Sequence, residues 1–301
     1  MFQPQRVTLP GPLTVWSPSV FEASVLYREI FSERTYEKHG IAIDDGSTIF
    51  DVGANIGLFT VYAAKRFPRA RVHAFEPVPE IYGVLQQNLA EHAPEARAYN
   101  FGLADKAGEA MFEFDRFATI ASSMHPSVFN DGKRQNTSKA IFAEAALIDL
   151  EKVTGANEWI QIARSNLKRP VLREIVLLFL GAANLGLRLR RRAFLKHRRC
   201  ELKTLSEALA ISGSDVVDLV KIDVEGAEES ILAGIDDEDW SRLRQFVIEV
   251  HDVAGRLDRM SRLLQNRGYR TIQAREDWAI HELLGISTLY AIRQPDSRLV
   301  R

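Results

Sequence analysis

The 301-residue chain has one cysteine, Cys200. A single thiol cannot close an intrachain disulfide, so nothing here demands an oxidising compartment. Charge of a prevailing sign is also missing. Lys and Arg number 39 against 40 Asp and Glu, a formal net charge of -1, so overall charge selects no particular partner. The opening "MFQPQRVTLPGPLTVW" lacks the charged-then-apolar pattern of a secretion signal. The sequon Asn136-Thr137-Ser138 is therefore read as chance, and a cytoplasmic location is expected. The most apolar run, residues 175–187, is shorter than the roughly 20 residues a spanning helix needs. No internal repeat is visible.

What remains is an ordinary globular composition, 46% hydrophobic and 26% charged. That suits one large domain, or one domain with an extension. Residues 1–20 read as an extended arm, and 22–40 as a helix stopped by Gly40. Apolar strands then alternate with helices. "STIFDVG", "ARVHAFEPVP" and "ARAYNFGLAD" are strands, with "GEAMFEFD" a fourth after the turn at "KAG". After residue 200, "VDLVKIDVEG" and "QFVIEVHD" are strands between helices. "YRTIQ" and "STLYAIR" follow with no helix between them. The alternation predicts an α/β fold with a mostly parallel sheet covered on both faces, closed by an antiparallel hairpin. Residues 122–200 break the rhythm and read as a mostly helical insertion. The expected organisation is an arm and capping helix over 1–45, a core over 46–121 and 201–301, and the insertion between.

The turn "IFDVGANIGLFT", residues 49–60, carries the first chemical signal. It has no Gly-Lys-Ser/Thr for a triphosphate. Nor has it the G-x-G-x-x-G of a dinucleotide site, because Ala54 and Asn55 stand between Gly53 and Gly57. Asp51, just before the turn, would repel a pyrophosphate but suits a cationic ligand or a ligand amine. S-adenosyl-L-methionine, a sulfonium with an ammonium and no phosphate, is such a ligand. Glu76 closes the next strand, at the distance where an acid accepts from ribose hydroxyls.

A second constellation sits at "LVKIDVEGAEESILAG" and "FVIEVHD". Asp223, Glu225, Glu249 and His251 lie at the carboxyl ends of two successive strands, the edge where open α/β sheets bind ligands. Methyl transfer to oxygen needs an in-line acceptor and a base for the hydroxyl proton. Asp223 and His251 are the candidates, with the imidazole the better acceptor near neutral pH. Lys221 with Glu225 could instead be a surface ion pair, and Glu228 with Glu229 a solvated helix face. Several carboxylates with one histidine could also hold a hard divalent ion. Nothing in the spacing requires one, and no metal site is assigned.

Together "IFDVGANIGLFT", "AFEPVP", "LVKIDVEGAEESILAG" and "VIEVH" resemble the FkbM-type S-adenosyl-L-methionine-dependent methyltransferases, over about residues 22–115 and 201–292. "YREIFSERTYEKHGI" and "DDEDWSRLRQFVIEVHD" are similar to members associated with polyketide and nonribosomal peptide assembly lines. The resemblance implies a Rossmann-like seven-stranded methyltransferase sheet and O-methylation of a natural product, a sugar, or a carrier- or lipid-linked intermediate. It implies that Asp51, Gly53, Ala54, Asn55 and Gly57 line the methionine end of the cofactor. Glu76 and Pro77 would hold the ribose side, and Asn100, Gly102 and Leu103 would border the adenine. Asp223, Glu225, Glu249 and His251 would face the acceptor, and Tyr27, Glu29 and Tyr36 would close over the cofactor. N- or C-methylation, and a non-catalytic membrane-associated protein that keeps the fold, are the alternatives.

The insertion departs from the family pattern. Its apolar run is flanked by Arg164, Lys168, Arg169, Arg173, Arg188, Arg190, Arg191, Arg192, Lys196, Arg198 and Arg199, with Glu174 the single acid. The segment reads as a helical lid or homodimer face, as a membrane-surface helix, or as a docking patch for an acidic carrier protein or lipid-linked substrate. Nucleic acid is not expected, because interleaved aromatics are scarce and no reading module is visible.

Overall fold

Strand β3 (Thr48–Val52) is buried at every position, as a central parallel strand covered on both faces should be. The computed structural model that shows this describes residues 2–115, 118–123, 195–275 and 286–294. The chain divides into two units, 1–125 with 197–301, and 126–196. The account below concerns the first.

Around β3 the chain builds α2 (Leu58–Arg66), β4 (Arg71–Phe75), α3 (Pro79–His92) and β5 (Arg97–Tyr99). The second half adds α4 (Leu205–Ser212), β10 (Leu219–Ile222), α5 (Glu228–Ala233), β11 (Gln245–His251), α6 (Arg256–Asn266), β12 (Tyr269–Ala274) and β13 (Ile286–Arg293). The seven strands lie in the order β12-β13-β11-β10-β3-β4-β5. Only β13 runs against its neighbours, paired antiparallel to both β11 and β12. This is the Rossmann-like seven-stranded sheet with the expected terminal hairpin. The strand order reverses between β3 and β10, which pair in parallel. A reversal of this kind opens a crevice at the carboxyl ends of the two strands.

Alternation along the strands splits the core into two layers. Ile49, Val72 and Ala74 face one cluster with α2 and α3, while Phe50, Phe75 and Ile222 face another with α4, α5 and α6. The helices are set by local chemistry. Pro79 opens α3, where its missing N–H costs nothing. Thr204 and Glu207 form a reciprocal capping box on α4, and Gly213 ends it at φ +68. In α6, Leu257, Met260 and Leu264 recur at helical spacing and are the buried face. Cutting Leu264 to Ala would cost about 2–5 kcal/mol.

Three expectations are corrected. The extended arm is a hairpin, β1 (Gln5–Leu9) paired with β2 (Leu13–Ser17). The helix expected over 22–40 is α1 (Val20–Tyr27), a π turn over Arg28–Ser32 and a 3-10 turn over Thr35–Glu37. Arg34, at φ +50, breaks the path between the two turns. The third strand stops at Tyr99. Asn100 Nδ2 donates to the carbonyls of Glu76 (2.9 Å) and Pro77 (3.0 Å), and the chain then leaves the main sheet. Gly102–Leu103 (β6) and Gly108–Asp115 (β7) join a separate four-stranded sheet with β8 (Ala118–Ser123) and β9 (Leu195–Lys203), in the order β6-β9-β7-β8.

Residues 195–200, counted with the helical insertion by sequence, are therefore strand. Arg198 Nε donates to Glu80 (2.7 Å), and Arg199 pairs with Glu109 (3.3 Å). The apolar run and the basic residues from Arg164 to Arg192 lie outside the described residues. Among the described residues no helix is long and apolar enough to cross a membrane.

Candidate active site

The turn after β3 is tied to both neighbouring strands. The N–H groups of Gly53 and Ala54 donate to the Phe75 carbonyl at 3.1 and 3.0 Å. Gly53 sits at φ +73, and a Cβ there would stand 1.9 Å from the Asp223 carbonyl oxygen. The glycine is thus required by the approach of the β10 end. Asn55 also has positive φ (+51), and Gly57 (φ +87) starts α2 against Leu85. Asn88, fully buried on α3, donates to the Ile56 carbonyl (2.7 Å) and clamps the turn. Asn88 was not singled out by sequence. Its signal is a polar residue on a face otherwise made of Val84, Leu85 and Leu89.

Glu76 ends β4 beside this turn. Its two carboxylate oxygens accept from the N–H of Asn55 (3.1 Å) and of Val78 (2.9 Å). Burial pushes the carboxyl up to about 7, against the pull of these donors and of Lys221. Pro77 and Asn100 keep accessible surface next to it. Gly102 and Leu103 do not: both are buried, with Gly102 leaving room for Leu202 and Leu103 in the core.

Asp51 lies beneath the turn. Its side chain is fully buried. Thr60 Oγ1 donates to one oxygen (2.7 Å), and Lys221 Nζ stands 3.0 Å from the other as an ion pair without hydrogen-bond alignment. Asp51 supports the turn from beneath. Lys221 is no surface residue either. It is 3% exposed, donates to the Gly53 carbonyl (2.9 Å) and lies 3.6 Å from Asp223. Burial opposes its charge, yet Asp51 and Asp223 outweigh that and hold the ammonium above its ordinary value.

The structure brings the four acceptor-side residues together. His251 Nε2 lies 3.0 Å from Glu225 Oε2, and Nδ1 lies 3.2 Å from Glu228 Oε1. Glu228 is fully buried and also takes Arg256 (3.0 Å) and the Gly226 N–H (2.8 Å). The expected solvated face holds only for Glu229, which pairs with Arg259 at 2.8 Å. Burial disfavours the His251 cation, but Glu225 and Glu228 outweigh it and raise the imidazole well above its usual value. The two carboxylates thus favour the protonated form of the ring against the effect of burial. Glu249 is buried, and its carboxyl is pushed well above the ordinary range by desolvation, then by Asp223 and Glu29. Glu225 holds its place at φ +52, a left-handed conformation uncommon outside glycine.

The N-terminal segment reaches the same cluster. Tyr36 Oη donates to Glu29 (2.9 Å) in the interior, and the Tyr36 ring centre lies 5.8 Å from Lys221 Nζ. Burial and then Glu29, Asp223 and Glu249 raise the phenol. Tyr27 instead stacks on Phe31 at 4.7 Å, a packing contact.

The donor set fits a cationic nucleoside better than a phosphate. Beneath the turn the nearest cation is Lys221, and it is committed to Asp51, Asp223 and the Gly53 carbonyl. Glu76 offers a carboxylate aligned by two backbone donors, with lone pairs remaining for hydroxyl groups.

The chain is similar to known proteins. Residues 51–271 match the methyltransferase FkbM domain. The chain is 32% identical over 273 residues to the 31-O-demethyl-FK506 methyltransferase FkbM of Streptomyces tacrolimicus, covering 91% of each. It is 33% identical over 297 residues to the AMB antimetabolite synthetase AmbE of Pseudomonas aeruginosa, covering 96% of this chain and 12% of that protein. The crystal structure of methyltransferase FkbM from Methylobacillus flagellatus KT superposes with a TM-score of 0.49 at 13% identity, over 88% of this chain and 47% of the other.

Proposed function

The chain belongs to the FkbM methyltransferase family, and from that premise we propose that it methylates a hydroxyl oxygen using S-adenosyl-L-methionine. The acceptor class is a natural product, a sugar, or a carrier- or lipid-linked intermediate. The observation that carries the reading is the position of Asp223. Its backbone carbonyl abuts Gly53 of the cofactor turn, and its side chain belongs to the acid cluster of β10 and β11.

Bound in the crevice, S-adenosyl-L-methionine supplies a methyl carbon made electrophilic by its sulfonium. The chain's part is to orient and to move a proton. Glu76 accepts from the ribose hydroxyls, and the positive-φ turn from Gly53 to Gly57 lets backbone approach the methionine end. Pro77 and Asn100 border the base. Asp223 is the general base. Its carboxylate is the more accessible of the pair it forms with Lys221, which fixes it at 3.6 Å. Asp223 would take the hydroxyl proton as the methyl group passes from sulfur to the acceptor oxygen.

Oxygen as the acceptor atom is supported by the relative that carries "31-O-demethyl" in its name. An assembly-line intermediate is supported by the match to a short part of an antimetabolite synthetase. On this reading the basic residues from Arg164 to Arg192 dock an acidic carrier. Arg198 and Arg199, paired with Glu80 and Glu109, contribute less.

The test is Asp223→Asn assayed against a panel of hydroxyl acceptors, with S-adenosylhomocysteine binding followed by calorimetry. Binding should stay within a few-fold, while kcat falls about 100- to 10,000-fold, the usual worth of a general base. Wild-type kcat in the variant would remove Asp223 from the role. Methylation confined to amine or carbon acceptors would overturn O-methylation.

A further inference from the structure

His251 Nε2, Glu225 Oε2 and a carboxylate oxygen of Glu249 all lie within 4.8 Å of one another. Nε2 and Oε2 are 3.0 Å apart. An octahedral ion with bonds of about 2.1 Å sets neighbouring donors about 3 Å apart and opposite ones about 4 Å apart. Nε2 and Oε2 stand at the spacing of neighbouring donors, and an oxygen of Glu249 lies within 4.8 Å of both, close enough for a small adjustment to close the trio on a small cation.

Two further observations point to a ligand here. Glu249 is 9% exposed, and its carboxylate has no hydrogen-bond or ion-pair partner among the described residues. A buried carboxylate left without a partner is costly unless a cation meets it. Second, His251 is oriented from behind. Glu228 takes Nδ1, and Arg256 with the Gly226 N–H holds Glu228. That leaves Nε2 aimed at Glu225 and Glu249. A carboxylate that fixes one imidazole nitrogen so that the other can ligate is the usual support behind a metal-bound histidine.

We propose that Glu225, Glu249 and His251 bind a divalent cation of the Mn2+ or Mg2+ class. Two carboxylates and one imidazole make a mostly hard donor set, which suits these ions. No thiolate joins it: Cys200 is buried in β9 and its sulfur lies 3.6 Å from the Arg198 carbonyl. Open coordination positions would take the acceptor oxygen and make its proton easier for Asp223 to remove. This last clause rests on the O-methyl reading above; cation binding itself does not.

The test uses the full chain, stripped with EDTA and desalted, with no S-adenosyl-L-methionine or acceptor present. Mn2+ is titrated in, and the free ion is followed by its EPR signal. One Mn2+ should bind per chain, and Mg2+ in excess should displace it. Glu225→Gln and Glu249→Gln should each weaken binding at least 10-fold. Glu228→Gln, which reaches the site only through Nδ1 of His251, should weaken it 10- to 100-fold. Glu229→Gln, on the surface pair with Arg259, should leave it unchanged. Circular dichroism and thermal melting check that each variant folds, and Glu228→Gln keeps the question open should a ligand variant fail.

Wild-type protein that binds no Mn2+ at millimolar concentration would overturn the site, as would equal affinity in all the variants. Bound Mn2+ without transfer to any hydroxyl would overturn the O-methyl reading and leave the site standing. Full turnover in EDTA would overturn the cation's part in activating the acceptor and leave the O-methyl reading standing.

Discussion

Lys221 Nζ stands 3.0 Å from Asp51 Oδ1, and both side chains are closed off from solvent beneath the cofactor turn. The pair joins β3 to β10 at the point where the strand order reverses. Lys221 also holds the Gly53 carbonyl, so the ion pair and the turn are one unit. Removing one partner would leave a buried charge uncompensated. Lys221→Met should therefore lose about 3–5 kcal/mol in denaturant unfolding. The double variant Asp51→Leu/Lys221→Met should recover a large part of that loss, because replacing both charges avoids the orphan. A single variant as stable as wild type would show that the charges are solvated after all.

Gly53→Ala tests the close approach rather than the charge. The added methyl would meet the Asp223 carbonyl at 1.9 Å, and the residue must also hold φ +73. The conformation alone costs about 1–2 kcal/mol for a residue with a Cβ. The clash adds to this by forcing β3 and β10 apart. S-adenosylhomocysteine affinity should fall at least 10-fold and thermal stability should drop. Gly108→Ala, with open space around the same position, should leave ligand affinity untouched. Equal affinity in both variants would remove the turn from the binding site.

These two residues show where the sequence was readable. The glycine pattern and the strand ends were legible because apolar runs buried on both faces leave little choice of structure. That legibility placed Asp223, Glu225, Glu249 and His251 at one edge. The role of Lys221 was not read, although its setting in "LVKI" carried the signal. A lysine inside a buried strand demands an anionic partner. The fourth strand was misplaced for a different reason. The β-forming character of "GEAMFEFD" does not say which sheet it joins. That was decided by the Asn100 side chain and by β9, which arrives from far along the chain. The upward shift of His251 was beyond local sequence, because it depends first on Glu225 and then on Glu228, both contributed by another segment.

Glu76 ties pH to ligand binding. Its carboxyl is raised to about 7 from an ordinary 4.5, first by burial; Lys221 favours the ionised form and Asp51 opposes it. A raised folded-state value means that its contribution to stability is full below about 4.5 and is lost as pH rises through about 7. The cost in the free protein at pH 8 is about 3 kcal/mol. Ionisation improves the site at the same time, because a carboxylate without its proton only accepts. S-adenosylhomocysteine affinity should therefore rise as pH passes from 6 to 8. In Glu76→Gln the affinity should be lower and flat over that range. A wild-type affinity that does not change with pH would separate Glu76 from the ribose hydroxyls.

His73 works with the opposite sign and away from the chemistry. It sits in β4, with Nδ1 2.9 Å from Tyr99 Oη and its ring 5.4 Å from Phe50. Desolvation, then Arg97 and Arg71, lower it from 6.5 to about 4. A depressed folded-state value means that its contribution is full above about 6.5 and is lost as pH falls toward 4. In that window the unfolded chain takes up a proton that the folded chain refuses. Carboxylates titrate there too, so the readout is the difference between wild type and His73→Phe. At pH 8 the variant should lie within about 1.5 kcal/mol of wild type, the worth of the hydrogen bond to Tyr99. Between pH 6.5 and 4.5 the wild-type melting temperature should fall more steeply than that of the variant. Parallel curves over that window would mean that His73 is protonated within the fold and that burial does not control it.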